Sequence, residues 1–334
     1  MIFAVQEVEF DKSGRIGDTR GMRTGVHRFA HEAMATVFEV FVAGKAEAYA
    51  RQAARAAFDE IDRLEKLFSR FDPSSETSRI GRLRPGGSLR IGIETAEVLG
   101  IAAAVQAETG GAFDVNYLAA GRAVAGRPTA SPPPLDKLIR VVQTGRGIEV
   151  VRIPAKGRAK IPVLDLDLGA VGKGYALDGA LAVLRDWEVG NVLLHAGTST
   201  ALAAGPGPGK SGAWRGWPVG AGSVAGESAG PGRVFLQDHA LSGSGTEVKG
   251  GHIVDPRTGR PARGARAAWV SHPSAAAADA LSTAFMVMAA DESAALCDRH
   301  PEVWALVINA RKKCRIFNAG ALAGSRSFRT RRQR

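Results

Sequence analysis

The sequence predicts an α+β fold: mixed and antiparallel sheets with packed helices, in one globular unit of two intimately joined subdomains. Three observations predict it. Segments of period-two and period-3.6 hydrophobicity are mixed along the chain without steady β-α-β alternation, which disfavours a doubly wound parallel sheet. The 334 residues, 45% of them hydrophobic, suffice for a large core. Within VLDLDLGAVGKGYALDGALAVL at 163–184 the period changes from strand to helix across a glycine turn.

Taken in order, residues 1–28 are polar and rich in Gly and Arg, and read as a loosely ordered extension. His31 to Val42 ends in an alternating strand with Val37, Glu39 and Phe41 on one side. Ala46 to Phe71 carries a helical stripe of Ala50, Ala53, Ala57, Ile61, Leu64 and Phe68. Asp72-Pro73-Ser74-Ser75 reads as a turn before a short helix from Ser75. Glu94 to Glu108 is a helix stopped by Gly110-Gly111, and the Gly/Pro/Ala-rich segment 119–134 is a connector. Leu138 to Val163 offers short strands. Leu164, Leu166 and Leu168 alternate with Asp165 and Asp167 as a strand, and Leu177, Leu181 and Leu184 mark the helix after Gly172-Lys173-Gly174. Asn191 to Ala204 is strand, turn and strand around Gly197-Thr198, and residues 205–232 read as a long mobile loop. Val234 to Ser242 is a strand, 243–251 a glycine-rich hairpin or loop, Ser274 to Ala290 a helix, and Val303 to Phe317 a hairpin turning at 309–312. The expected limits are therefore a folded unit over 29–320 and a basic, disordered tail over 321–334.

Composition excludes several classes. The net charge is +11, but Arg326, Arg329, Arg331, Arg332 and Arg334 in the tail supply nearly half of it. No recognised nucleic-acid module accompanies the charge, so no specific nucleic-acid partner is expected. Cys297 and Cys314 show no CxxC spacing, which excludes a disulfide framework or a cysteine-rich metal centre, and each reads as a small core residue. No secretory h-region, lipobox-like cysteine or 18-residue apolar run occurs, so the expectation is a cytoplasmic protein without a membrane span. The sequence does not specify the oligomeric state.

Three local patterns carry chemistry. The turn Gly169–Gly174 offers backbone N–H groups, Lys173 and a helix N-terminus, a combination that favours an anion such as phosphate. A tight turn whose glycines serve only the backbone accounts for the same residues. It is not a Walker A loop, since only Ala170 and Val171 separate Gly169 from Gly172-Lys173 and no hydroxyl residue follows the lysine. Asp279 and Thr283 stand at i and i+4 on one helix face, an oxygen pair suited to Mg²⁺, although an Asp–Thr hydrogen bond fits the spacing equally. His252, in GGHIVDPRTG, is the best general-base candidate by its near-neutral intrinsic pKa, and a lone histidine is as readily structural.

Together the segments Met34-Ala35-Thr36-Val37-Phe38, FSRFDPSSETSRI at 68–80, TGGAFDV at 109–115, LDLGAVGKGYALD at 166–178, Ser242-x-Ser244-Gly245, HIVDPRTG at 252–259 and ADALSTA at 278–284 resemble the ApbE family, the FAD:protein FMN transferases, in the family's own order. The resemblance implies an ApbE-like fold that binds FAD as substrate between Met34, Ala112, Phe113, Asp114, Asp167 and Lys173, with His252 and Ser282 nearby. It implies Mg²⁺ held by the Ala170 carbonyl, the Asp279 carboxylate and the Thr283 hydroxyl, with His252 and Asp279 as the catalytic pair. The implied partner is an acceptor flavoprotein carrying a Ser-Gly-Ala-Thr-like motif, whose threonine receives FMN while AMP departs. The alternatives are an Mg²⁺-dependent FAD pyrophosphatase and a non-catalytic FAD-binding protein. The chain departs from the family at Ala35, where glycine is usual, at 195–205, which lack the family's asparagine and glycine pair, and across 205–232.

Overall fold

The computed structural model describes residues 25–121, 133–154, 163–208, 216–224, 227–245 and 253–321. The described residues open with β1 (Val26–Ala33) and β2 (Thr36–Ala43), followed by the long helix α1 (Glu47–Phe68) and the short α2 (Glu76–Gly81). Then come β3 (Ser88–Ile91), α3 (Ile93–Glu108), the single turn α4 (Leu118–Gly121), β4 (Ile139–Thr144) and β5 (Gly147–Arg152). Helix α5 (Gly172–Asp186) leads to β6 (Val192–Ala196), β7 (Thr200–Ala204), β8 (Trp217–Val224), β9 (Glu227–Leu236) and β10 (His239–Gly245). The two-residue strands β11 (Val254–Asp255) and β12 (Arg260–Pro261) precede β13 (Ala265–His272), α6 (Ala275–Val287), α7 (Ala290–Arg299), β14 (Trp304–Asn309) and β15 (Cys314–Phe317).

The central sheet has eight strands in the order β1-β2-β6-β7-β10-β13-β14-β15, each pair antiparallel. A three-stranded sheet, β3-β5-β4, stands apart from it. The expected α+β class with antiparallel sheets is therefore observed. Alternation places Phe38, Val40, Leu194 and Val270 on one face of the central sheet, against α1, α5 and α6. Phe41, Leu193, Trp269 and Leu306 point to the other face, where Trp217, Val219, Val234 and Leu236 of the β8–β9 hairpin cover them. The sheet is thus buried on both sides, by helices on one and by a hairpin on the other. No helix among the described residues is long and apolar enough to cross a membrane.

Several expectations need correction. The segment 205–232 is not one long loop, because residues 217–224 form β8 and residues 227–236 form β9. Small and polar residues obscured the pattern, and the buried ends, Trp217 and Leu236, carry it. The expected strand 234–242 is two strands separated by a turn at Gln237-Asp238, with Asp238 at a φ of 54°. The first strand is a hairpin whose β1 begins at Val26, inside the segment expected to be loose. The Leu164–Leu168 alternation does not pair in any ladder. Its leucines are buried, but only Asp167 N–H reaches a backbone acceptor, Val115 O at 2.8 Å, while Asp165 N–H uses the Asn116 side chain at 2.7 Å. The helix expected to run to Ala290 stops at Val287, and α7 follows as a separate element. Cys297 is buried as expected, but Cys314 is exposed on the edge strand β15.

Candidate active site

A cavity of about 600 Å³ opens where the β1–β2 turn, the start of α5, the C-terminal end of β10 and the helix α6 converge. Met34, Ala112, Phe113, Asp114, Asp167, Ala170, Lys173, Asp279 and Thr283 all line it, although they come from widely separated parts of the chain. Ser282 lies behind the wall, fully buried, with its Oγ 2.9 Å from Ser244 Oγ and donating to Asp279 O at 3.0 Å. His252 lies outside the described residues, but its neighbours Ile253 and Val254 line the cavity.

At one end the tight β1–β2 turn presents Met34. Two residues connect the paired Ala33 and Thr36, and both take left-handed angles, φ 50° at Met34 and 56° at Ala35. That is the type I′ geometry that matches strand twist, here built without glycine or asparagine. The Met34 N–H donates to Glu65 Oε1 at 2.8 Å, which ties the turn to α1. Beside it, the double glycine after α3 reverses the chain so that Ala112, Phe113 and Asp114 enter the wall. Burial pushes the Asp114 carboxyl up to about 6, against the opposing hydrogen bond from Asn116 N–H at 2.7 Å.

The middle of the wall centres on Asp167. Its carboxylate accepts from Arg70 Nη1 at 3.2 Å, from the Tyr117 hydroxyl at 3.1 Å and from the Gly169 N–H at 2.9 Å. Burial first, and the Asp167 charge second, push Tyr117 up to about 12, so it stays a neutral donor. Arg70, the exposed Phe71 and Tyr117 line the cavity but were missed as site residues in the sequence. Arg70 and Phe71 lie inside the FSRF segment, where only a turn signal was read.

The far end holds the oxygen cluster. Asp279, 3% exposed, receives Thr200 Oγ1 at 3.2 Å and Ser242 Oγ at 3.1 Å on its Oδ1. Its Oδ2 receives the Gly174 N–H at 3.3 Å and lies 3.5 Å from Lys173 Nζ. Thr283 Oγ1 is 3.3 Å from Ser244 Oγ and donates to the Asp279 carbonyl at 3.3 Å. Four amides of the expected turn find partners inside the protein. Gly169 N–H is held by Asp167, Val171 and Gly172 N–H by Leu168 O, and Gly174 N–H by Asp279. The pull on an anion at this end comes from Lys173 together with the N-terminus of α5.

The donors available at this end are oxygens: the Asp279 carboxylate, the hydroxyls of Thr283 and Ser244, and the peptide oxygens of the lining residues Gly169 and Ala170. No cluster of three or more His, Cys, Asp or Glu exists among the described residues. That set fits a hard ion such as Mg²⁺, which takes one or two carboxylates and completes its shell with phosphate oxygens and water, and it does not fit zinc.

The ApbE family model matches residues 34–307, a span that holds every element of the cavity wall. The chain belongs to the ApbE family. This ApbE-family chain is 27% identical over 262 residues to a protein of Vibrio cholerae named FAD:protein FMN transferase, covering 72% of this chain and 75% of that one. It is 31% identical over 188 residues to a Rhodobacter capsulatus protein of the same name, covering 52% of this chain and 32% of the relative. It thus spans about a third of the Rhodobacter protein. The solved flavin transferase ApbE of Vibrio cholerae superposes with a TM-score of 0.71 over 90% of this chain and 98% of that one, at 19% identity. That likeness shows a common fold.

Proposed function

We propose that this ApbE-family enzyme transfers FMN from FAD to a threonine hydroxyl of an acceptor flavoprotein, with Mg²⁺ present and AMP released. The observation that carries the reading is one wall holding both a cation for a diphosphate, Lys173, and an oxygen set for a divalent metal, Asp279, Thr283 and Ala170. The names of the Vibrio and Rhodobacter relatives agree with it. A cavity of about 600 Å³ lies within the range typical of small-molecule and cofactor sites.

In this reading Met34, Ala112, Phe113 and Asp114 bound the space for the flavin half, and Asp167 is held in place by Arg70 and Tyr117. Lys173 neutralises the diphosphate, while Thr200 and Ser242 fix the Asp279 carboxylate so that it does not reorganise during reaction. Ala170 O, Asp279 and Thr283 would hold Mg²⁺, whose positive charge would offset the negative charge developing on the leaving group. The acceptor oxygen attacks the FMN phosphorus, the bond from that phosphorus to the AMP oxygen breaks, and the hydroxyl proton passes to a base, the role assigned to His252.

The test is incubation of the protein with FAD and Mg²⁺, with and without a peptide carrying a Ser-Gly-Ala-Thr-type acceptor. An FMN-sized mass gain on the threonine, lost with EDTA, is the expected result. Free FMN and AMP beside an unmodified acceptor would point to a pyrophosphatase, and intact FAD throughout to a binding protein. Asp279→Ala should abolish metal-dependent turnover while the circular dichroism spectrum stays unchanged; full turnover in that variant would remove Asp279 from the metal site.

A further inference from the structure

We infer that Lys173 is the resident counter-cation of Asp279, and that a divalent ion must displace its ammonium in order to use that carboxylate. The inference rests on the metal site of the proposed function. Lys173 Nζ donates to Gly169 O, next to the Ala170 carbonyl, and stands 3.5 Å from Asp279 Oδ2, so it sits against the carboxylate that would hold the metal. The other carboxylate oxygen is committed to the hydroxyls of Thr200 and Ser242, and Gly174 N–H shares Oδ2 with the lysine. An Asp279 that is 3% exposed needs compensation for its charge, and Lys173 supplies it.

Two cations cannot occupy this space without strong repulsion. A dinucleotide entering the cavity that Lys173 lines would bring a second anion within its reach. A diphosphate there draws the ammonium off Oδ2 and opens the carboxylate to the metal. Metal and dinucleotide then assist each other, and the empty enzyme holds its metal weakly. The lysine thus acts in two positions, on the carboxylate before loading and on the substrate after it.

The experiment is direct Mn²⁺ titration of the full chain without nucleotide, followed by electron paramagnetic resonance of the free ion. Lys173→Met removes the charge at nearly constant length and should bind Mn²⁺ about tenfold tighter than the unmodified chain. Asp279→Asn should bind none, and melting curves establish that both variants fold. If Lys173→Met binds Mn²⁺ no more tightly while Asp279→Asn loses it, the metal site stands and the displacement role of Lys173 falls. If Asp279→Asn binds as well as the unmodified chain, the metal reading itself fails, and this inference with it.

Discussion

Met34 and Ala35 show what a single pair of residues contributes. Both are held at positive φ, a conformation that costs an L-residue about 1–2 kcal/mol and that glycine adopts freely. The turn tolerates this because the β1–β2 ladder and the Glu65 bond over-determine it, and the result is a methionine fixed at the cavity edge. Ala35→Gly should therefore stabilise the fold by about 0.5–1 kcal/mol, read as a melting temperature a few degrees higher. A lower melting temperature would mean that the turn is not strained. His195, on β6, is a second residue whose environment decides its behaviour. Burial in the sheet pushes its pKa down to about 4, so the folded state keeps it neutral. Between pH 6.5 and 4 the unfolded chain takes up a proton there and the folded chain does not, so stability falls as the pH drops through that window. The loss should reach about 3 kcal/mol near pH 4. Urea midpoints for the natural chain and His195→Asn, compared at pH 7 and pH 4.5, check this: the variant should show the shallower decline, and equal declines would exclude His195 as the source.

At the scale of elements, the site depends on how α5 meets α6. A Cβ at Gly174 would lie 2.2 Å from the Ala275 carbonyl oxygen, so only glycine permits this crossing. One turn further along α5, the half-buried Asp178 accepts the N–H groups of Ala275 at 2.9 Å and Ala276 at 3.0 Å and the Ser274 hydroxyl at 2.8 Å, capping α6 from outside its own helix. Those contacts set where Asp279 and Thr283 stand relative to Lys173. Asp178→Ala should cost about 1–3 kcal/mol in stability and weaken metal-dependent turnover, because the freed α6 terminus shifts the carboxylate. Denaturant unfolding and turnover measured on the same sample check it, and an unchanged midpoint would overturn it. Both residues lie within LDLGAVGKGYALD, which in sequence pointed to a turn for an anion. Their service to the neighbouring helix was not legible, since the groups they meet on α6 lie about a hundred positions away.

For the whole molecule, the sheet separates two duties. Its helical face builds the cavity, and its other face is closed by the β8–β9 hairpin, anchored by Trp217, whose Nε1 donates to Ala204 O at 3.2 Å. Trp217 lines no part of the cavity. Trp217→Ala should cost about 3–5 kcal/mol while leaving turnover per folded molecule unchanged well below the melting temperature. Thermal melts beside an activity assay test both halves, and a loss of turnover without a loss of stability would tie this face to the reaction.

The sequence by itself determined the α+β class, the helix stripes of α1 and α5, the sharp stop after α3, and the segments that bear the site. These follow from local period, from caps such as Ser75 and Ser274, and from glycine punctuation, all of which act over a few residues. Only the tertiary structure decided that Leu164–Leu168 runs unpaired, that 217–224 and 227–236 pair as a covering hairpin, and that the amides of Gly169, Val171, Gly172 and Gly174 are spent inside the protein. It also decided that Lys173 faces Asp279 across 3.5 Å. Each of those outcomes depends on which distant group reaches a donor or a face first. That competition is settled by packing, where a buried polar group must find a partner wherever the chain supplies one.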